Sequence, residues 1–288
     1  MPGRLLDGRG LAQRVEERLR GDVDALRKRG APAPQLNVIL VGADPASSIY
    51  VRRKKEACQR VGIAVKEHIL EASTSTQEVG TLIEALNLDP MITGILLQLP
   101  LPAGRDERHL LETIHPAKDV DCFHPSNVGR AAQGTGTLLP ATPKAVLAIL
   151  EDAKIPLQGA EVVIVNHSNL IGRPLAALLL QREATVTVCH KHTRDLAAHT
   201  RRADVLVTAT GVAGLITRAH VKAGATVIDV GIAREGDKVR GDVQADVLDV
   251  AGALTPVPGG VGPMTVAMLL SNVIAAHRLQ HANEAVRA

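Results

Sequence analysis

The sequence predicts an α/β protein with parallel sheets, divided into two domains. Short runs of aliphatic and β-branched residues alternate with longer segments of helical period, which is typical of βαβ units. The alternation stops at a stretch rich in Gly and Pro, 129–143, and then restarts, so we predict a linker there. A length of 288 residues also favours two hydrophobic cores over one.

The first domain is predicted over 1–140 and the second over 141–263. The first begins with a helix at 10–29, followed by a strand at 36–42, a helix at 46–61, a strand at 64–70, a helix at 75–86 and a strand at 93–99. The second has strands at 161–165, 185–189, 204–210 and 225–231, separated by helices near 173–182, 194–202 and 217–222. This order resembles a doubly wound, Rossmann-like dinucleotide-binding domain. An amphipathic helix from 264 to about 282 follows, and we expect the segment 264–288 to return to the first domain.

The composition excludes several classes of protein. With 45% hydrophobic and 22% charged residues the chain is typical of a soluble globular protein, and its apolar runs are too short to span a membrane. The N-terminus lacks an apolar signal region, so a cytoplasmic location is expected. A net charge of +3 that is spread along the chain, with one Tyr, one Phe and no Trp, gives little support for nucleic-acid binding. The three cysteines lie far apart, which argues against disulfides and against a structural zinc site.

The turn after the first strand of the second domain is a candidate cofactor site. It reads Asn166-His167-Ser168-Asn169-Leu170-Ile171-Gly172-Arg173-Pro174. A dinucleotide pyrophosphate would lie here on unpaired backbone N–H groups, at the positive end of a helix dipole. Only Gly172 remains of a G-x-G-x-x-G fingerprint, with Asn166 in place of the first Gly. An ordinary strand–helix turn is therefore almost equally consistent with the pattern.

The end of the next strand indicates which dinucleotide is bound. Domains that choose NAD usually carry an acid there for the ribose hydroxyls, whereas those that choose NADP carry cations for the 2′-phosphate. The chain reads Cys189-His190-Lys191-His192-Thr193-Arg194, with no carboxylate before Asp195. NADP is therefore favoured over NAD, although each of these residues taken singly is equally consistent with a solvated loop.

Five side chains of the first domain are considered as candidates for chemistry or binding. Tyr50 and Lys54 lie four residues apart on a predicted helix, hence on one face, and a partly desolvated lysine can exchange protons near neutral pH. A surface lysine is the alternative. Gln98 interrupts an apolar strand at its carboxyl end, where ligands of open α/β sheets bind, unless backbone groups alone satisfy it. Asp119 and Asp121 form an acid pair without a recognisable third ligand, so we predict no metal.

Six segments, taken in order and spacing, closely resemble the bifunctional methylenetetrahydrofolate dehydrogenase/methenyltetrahydrofolate cyclohydrolase family. The resemblance covers essentially the whole chain, and its segments are SSIYVRRKKEAC, GILLQLPLP, KDVDCFHPSNVGR, the PATP of 140–143, HSNLIGRP and PVPGGVGPMTVAML. The sharpest are the Tyr-x-x-x-Lys of 50–54 and the Pro-Gly-Gly-Val-Gly-Pro of 258–263.

The resemblance implies an enzyme acting on one-carbon derivatives of tetrahydrofolate, in the metabolism that supplies purine biosynthesis. It would oxidise 5,10-methylenetetrahydrofolate with NADP and hydrolyse the product to 10-formyltetrahydrofolate. The folate would lie in a cleft between the domains, with Tyr50 against its rings, Lys54 at the one-carbon bridge and Gln98 holding Lys54. Asp121 would bind the pterin. The residues of a loop that would close on the substrate are Pro258, Gly259, Gly260 and Val261.

The resemblance also implies a homodimer, for which the segment 231–243 is a candidate interface, and an NADP site. The residues of that site are Asn166, His167, Ser168, Ile171, Gly172, Arg173, His190, Lys191, Thr210, Gly211 and Ile232. Where similar proteins read Gly-Arg-Ser this chain has Asn166-His167-Ser168, and Lys191 stands where they commonly have Ser. NAD therefore remains possible. Two alternatives stay open: a cyclohydrolase with a weak or NAD-shifted dehydrogenase, or a non-catalytic protein that binds folate or a dinucleotide.

Overall fold

The computed structural model of the protein describes residues 3–42, 44–236 and 238–281. Its strands are β1 (Arg4–Leu5), β2 (Gln35–Val41), β3 (Ala64–Leu70), β4 (Gly94–Leu97), β5 (Glu161–Val165), β6 (Thr185–Cys189), β7 (Val205–Thr208), β8 (Thr226–Asp229), β9 (Ala233–Glu235), β10 (Lys238–Arg240) and β11 (Ala253–Leu254). Its α-helices are α1 (Gly8–Lys28), α2 (Pro45–Val61), α3 (Thr76–Leu88), α4 (Glu107–Thr113), α5 (Pro125–Ala132), α6 (Ala141–Asp152), α7 (Gly172–Leu180), α8 (Leu196–Thr200) and α9 (Val261–His281).

The strands form two parallel sheets and one hairpin. The larger sheet has the order β1-β11-β8-β7-β5-β6, the smaller one has the order β3-β2-β4, and β9 pairs with β10 in antiparallel fashion. The predicted α/β class with parallel sheets is confirmed. Within the described residues, no helix combines the length and the apolar character needed to cross a membrane.

One compact unit comprises residues 14–130, 135–141 and 266–281 and is built around the smaller sheet. Strand β2 is central, and all its residues after Gln35 are buried because β3 and β4 cover both of its edges and helices cover the faces. Helices α3 and α4 supply Ile83 and Leu110 to the same core as Ile39 of β2. The final helix contributes its residues from 266 onward to this unit, which confirms that it returns to the first domain.

The other unit comprises residues 3–13, 131–134 and 142–265 and is built around the six-stranded sheet. Strand β5 lies between β6 and β7, so the chain turns first to one side of β5 and then to the other. In open α/β sheets, ligands bind at the carboxyl ends of the strands at such a reversal. The turn that follows β5 begins at Asn166, so the nucleotide loop expected from the sequence lies at this switch point.

Some predicted elements differ from the structure. The predicted linker at 129–143 is wrong at both ends, because it overlaps the end of α5 and the start of α6. Glycine and proline misled the prediction here, since Gly129 lies inside α5 and Pro143 lies in the first turn of α6, where the missing N–H breaks no hydrogen bond of the helix. The helix expected at 217–222 is a single 3-10 turn, Arg218–His220, and α4 was not predicted.

Both ends of the chain also differ from the prediction. Strands β1 and β11 were not predicted, and their pairing places residues 3–13 with the nucleotide unit, whereas the sequence assigned them to the first domain. Two-residue strands carry too little periodicity to be recognised. The last helix begins at Val261 and not at 264, and the part of the assigned segment 264–288 beyond residue 281 lies outside the described residues.

Candidate active site

Lys54 and Gln98 form the centre of the candidate active site. Lys54 lies on α2, and its Nζ donates a hydrogen bond of 3.1 Å to Oε1 of Gln98, directly after β4. Gln98 is itself fixed, because its backbone N–H donates to the carbonyl of Ile39 at 2.9 Å and its Nε2 donates to the carbonyl of Leu99 at 2.7 Å. The amide therefore has one orientation, with its oxygen towards the lysine.

Burial shifts the pKa of both charged groups at this centre. It lowers the pKa of the Lys54 ammonium, and the charge of Asp121 opposes this more weakly. Burial likewise raises the pKa of the Asp121 carboxyl, which the Lys54 ammonium opposes and Asp119 reinforces. Burial also raises the pKa of the Cys58 thiol to about 12, so Cys58 is a neutral neighbour. Lys54 thus gives up its proton more readily than an ordinary lysine.

Tyr50 lies one helical turn before the lysine on α2 and is half-buried. The other cations of this helix point elsewhere: Arg52 and Arg53 are exposed, and the Nζ of Lys55 forms an ion pair of 2.6 Å with Glu67. Both residues lie on α2, four positions apart, as the prediction of a shared helix face requires.

The turn that carries Asp121 is held by the last helix. Asn272 of α9 is fully buried, and its Nδ2 donates to the carbonyls of Val120 and Leu139 at 2.8 and 2.7 Å. Cys122 follows with a φ of 60°, in the left-handed region that favours glycine. These restraints fix the backbone on both sides of Asp121.

Asp119 has a structural role in the same turn. Its carboxylate accepts hydrogen bonds from the backbone N–H groups of Phe123 and His124 and from Nδ2 of Asn127, at 2.9 to 3.1 Å. It is therefore occupied, and the two aspartates do not act as an equivalent acid pair. Over the described residues, no cluster of three or more His, Cys, Asp or Glu side chains could hold a metal ion.

Asn166 organises the loop after β5. Its Oδ1 accepts from the N–H and the hydroxyl of Ser168, both at 2.8 Å, and from the N–H of Gly172 at 3.0 Å. Its Nδ2 donates to the carbonyl of Ala209 at 2.6 Å. The N–H of Ile171 bonds to the Ser168 hydroxyl at 3.2 Å. The prediction of unpaired N–H groups at this turn is therefore wrong for Ser168, Ile171 and Gly172, because side chains of the loop already accept from them.

Gly172 is required by this arrangement. A Cβ at this position would collide with the backbone carbonyl of Asn166. The residue thus allows close packing between the helix start and the strand end, which is one of the roles of glycine in dinucleotide-binding loops.

Histidines and a lysine lie exposed at the end of β6. The rings of His167 and His190 meet edge to face with centroids 5.2 Å apart, and those of His190 and His192 are 6.0 Å apart. Lys191 is exposed between them. Asp195 does not contribute an acid here, because its carboxylate caps the N-terminus of α8. Two segments far apart in the sequence thus form one surface rich in nitrogen donors.

The remaining predicted cofactor residues lie at the carboxyl ends of neighbouring strands. Thr210 and Gly211 follow β7, and the exposed Ile232 follows β8. The N–H of Thr210 donates to a buried carboxylate, Asp242, at 2.6 Å. Arg173 is exposed on the first turn of α7.

The predicted substrate loop is only partly accessible. Pro258 is exposed and Gly259 is half-buried with a φ of 115°, whereas Gly260 and Val261 are buried where α9 begins. The carbonyl of Gly259 accepts from the N–H of Arg9 at 2.9 Å. Pro258 and Gly259 are therefore the residues of this loop that can meet a ligand directly.

Two family models match the chain. The catalytic domain of tetrahydrofolate dehydrogenase/cyclohydrolase matches residues 6–121, and the NAD(P)-binding domain of the same family matches residues 140–281. The chain belongs to the tetrahydrofolate dehydrogenase/cyclohydrolase family. This confirms the predicted family, including its Rossmann-like second domain.

Individual members of the family are similar over nearly their whole length. Bifunctional protein FolD from Halalkalibacterium halodurans is 51% identical over 273 residues, which are 94% of this chain and 98% of that protein. FolD of Methanosarcina barkeri is 50% identical over 94% of this chain and 95% of that protein. The crystal structure of FolD from Campylobacter jejuni is 43% identical, with a TM-score of 0.93 over 96% of this chain and 98% of that chain. The Trypanosoma brucei enzyme, solved with NADP and an inhibitor, is 34% identical, with a TM-score of 0.94 over the full length of both chains.

Three buried polar residues of this family member were missed by the sequence reasoning. Asn272 could have been found, because it is an amide within the apolar run VAMLLSNVIAA. Asp229 carried a similar signal, because it is an acid within the predicted strand ATVIDVG, whereas Asp242 lies beside Gly241 in a loop and gave none.

Proposed function

We propose that the protein oxidises 5,10-methylenetetrahydrofolate to 5,10-methenyltetrahydrofolate with NADP, and then hydrolyses this product to 10-formyltetrahydrofolate. The observation that carries the proposal is the Lys54–Gln98 hydrogen bond beside Asp121, in a chain of this family. A protein that only bound folate would have no need for a fixed, partly desolvated lysine.

In the first reaction, the residues mainly hold the substrate in place. NADP, when bound, accepts a hydride from the methylene carbon, which leaves a methenyl cation. Tyr50 packs against the folate rings, and the Asp121 carboxylate accepts hydrogen bonds from the pterin amino group and ring N–H, because a carboxylate offers two acceptor oxygens to two parallel donors. Holding the donor carbon in line is the main contribution that a protein can make to such a transfer.

In the second reaction, Lys54 acts as general base and then as general acid. Water attacks the methenyl carbon, Lys54 accepts a proton from this water, and it delivers a proton to N5 as the bond between the carbon and N5 breaks. The formyl group stays on N10, and one proton is released overall. Burial suits Lys54 to this work because it lowers the pKa of the ammonium and increases the fraction of neutral amine. Gln98 fixes the orientation of the Lys54 side chain by accepting a hydrogen bond from its Nζ.

The surface at the end of β6 supports NADP as the preferred cofactor. His167, His190 and Lys191 can donate to a 2′-phosphate, and the nearest acid of this segment, Asp195, is engaged as a helix cap. His167 stands where the family resemblance implies an arginine and Lys191 where it implies a serine, so imidazoles and an ammonium would supply the positive charge here. Lys191→Ala should raise the KM for NADP about tenfold and leave the KM for NAD unchanged, as expected for one charge-assisted phosphate contact. Lys222→Ala is the control, because Lys222 is paired with Asp204 at 2.7 Å.

The experiment that tests the function measures both reactions on the same preparation. Methylenetetrahydrofolate is supplied with NADP or with NAD, and the reduced cofactor is measured; methenyltetrahydrofolate is supplied separately, and its hydrolysis is followed. We expect both reactions, with faster turnover of NADP. Hydrolysis without reduction of NADP would favour a cyclohydrolase with a weak or NAD-shifted dehydrogenase. Absence of both reactions would favour a binding protein.

We also propose that the protein is a homodimer. The predicted interface segment contains the antiparallel hairpin of β9 and β10, and such a hairpin offers strand edges for pairing with a second chain. Sedimentation equilibrium of the purified protein tests this, and a monomeric mass would contradict it.

A further inference from the structure

Two buried aspartates lie beneath the loops that were assigned to the cofactor. Asp229 is the last residue of β8, and its register partner on β7 is Thr208. Asp242 follows the hairpin and is fully buried, while Asp229 is 3% exposed. The two carboxylates thus lie at the carboxyl edge of the larger sheet, where the segments after β7 and β8 begin.

Asp242 holds the segment after β7. Its Oδ2 accepts from the Thr208 hydroxyl at 2.7 Å and from the backbone N–H of Thr210 at 2.6 Å. Hydrogen bonds to a carboxylate are about twice as strong as those between neutral groups. Its other oxygen, Oδ1, is buried without a hydrogen-bond partner in the described part of the chain.

Asp229 holds the segment after β8 and holds Asp242 itself. Its Oδ1 accepts from the N–H of Gly231 at 2.9 Å and from the N–H of Asp242 at 3.1 Å, and its Oδ2 accepts from the N–H of Val243 at 3.0 Å. Burial is the main reason that the pKa of the Asp229 carboxyl is raised to about 6; the charge of Asp242 adds to this, and the three backbone hydrogen bonds oppose it.

The two aspartates and two glycines pack reciprocally. A Cβ on Gly231 would collide with the carboxylate of Asp242, and a Cβ on Gly241 would collide with the carboxylate of Asp229. Each acid therefore occupies the space left by a glycine that lies one or two residues from the other acid. Side chains of this type cost several kcal/mol to bury, so a purely apolar contact would be the cheaper way to pack this edge.

We propose that Asp242 is a positioning residue for the dehydrogenase reaction: its carboxylate holds the Thr210–Gly211 segment, and Asp229, which accepts from the N–H groups of both Asp242 and Gly231, joins that segment to Gly231–Ile232 beneath the dinucleotide. The inference relies on the proposed function, and it deepens the cofactor site of that function. The hydrolysis step uses no dinucleotide, and its residues Lys54, Gln98 and Asp121 belong to the other compact unit. Asp242 should therefore matter for one reaction and not for the other.

The test compares Asp242→Asn with the wild type in both reactions. Asparagine keeps the shape, and its one oxygen can still accept from Thr208 and Thr210, but the negative charge that strengthens these bonds is lost and the NH2 group takes the buried place of Oδ1, which has no partner in the described part of the chain. We expect kcat/KM for NADP to fall about tenfold, with a rise in the KM for NADP, and hydrolysis of methenyltetrahydrofolate to stay within about twofold of wild type. Asp246→Asn is the matched control, because Asp246 is exposed on the following 3-10 helix, Ala245–Asp249.

A second variant guards against misfolding of the first. Thr208→Val removes one donor to Asp242 without changing the side-chain volume. It should lower kcat/KM for NADP about threefold and leave the hydrolysis of methenyltetrahydrofolate within about twofold of wild type. Equal losses in both reactions, or an unchanged dehydrogenase in a folded Asp242→Asn protein, would overturn the inference while leaving the proposed function intact. A wild-type protein that reduces neither NADP nor NAD would instead refute the proposed dehydrogenase, and the inference with it.

Discussion

Replacing Lys54 by methionine separates the two reactions of the proposed enzyme. Methionine matches the length of the lysine stem but cannot carry a proton or donate to Gln98. No neighbouring cation can take over, because Arg52 and Arg53 are exposed on other faces of α2 and Lys55 is paired with Glu67. General acid–base catalysis contributes about 100- to 10,000-fold, so we expect hydrolysis to fall by at least about 100-fold. Hydride transfer involves no proton exchange, and the dehydrogenase should fall much less.

The fold should survive this substitution, because two effects on stability oppose each other. Burial lowers the pKa of the Lys54 ammonium, so the folded state is penalised at every pH below that lowered value, and methionine removes the penalty. In return, Oε1 of Gln98 loses its donor, which costs about 1 kcal/mol. We therefore expect the free energy of unfolding to change by no more than about 1 kcal/mol.

The assay follows the disappearance of methenyltetrahydrofolate after subtraction of its spontaneous hydrolysis. Lys55→Met is the control: it removes the adjacent lysine, whose side chain is 41% exposed in its ion pair, and it should leave both reactions within about twofold of wild type. Hydrolysis by folded Lys54→Met within about threefold of wild type would refute the role assigned to this lysine.

Two further predictions concern packing and pH. Tyr50→Ala should raise the KM for methylenetetrahydrofolate about tenfold, because the contact between the two rings is lost. Tyr50→Phe keeps the ring and should change this KM less than about threefold. An equal rise in KM for both variants would show that the hydroxyl contributes more to binding than the ring does. Because burial raises the pKa of Asp229 from 3.8 to about 6, its neutral form is favoured in the folded state, and its contribution to stability is lost as pH rises between these values. Measured by denaturant unfolding, the stability of wild type relative to Asp229→Asn should fall by about 2 kcal/mol from pH 4 to pH 7, whereas a difference independent of pH would contradict the shift.

Local features of this protein could be predicted because a few neighbouring residues cause them. The strands at 64–70, 161–165 and 185–189 have the predicted limits, since their aliphatic runs end at polar or turn-forming residues. The spacing of Tyr50 and Lys54 places them on one helix face wherever the helix packs. The six family segments also gave the catalytic candidates, because each segment is continuous in sequence. The prediction of a linker was wrong because it also used only neighbouring residues. Proline breaks a helix in its middle but is accommodated in its first turn, and composition alone does not distinguish the two cases.

The tertiary structure alone decided which distant residues meet and what that does to their chemistry. Lys54 reaches Gln98 across 44 positions, and Asn272 reaches the Asp121 turn across 152, so neither contact leaves a periodic trace in the sequence. The lowered pKa of Lys54 depends on burial, which the packing of whole elements sets. Asp229 lies in a predicted strand and Asp242 in a predicted loop, and the two become a buried pair only in the folded sheet, where β8 lies beside β7. Residue type and spacing thus determined the family and the candidate groups, whereas packing determined their partners and their charge.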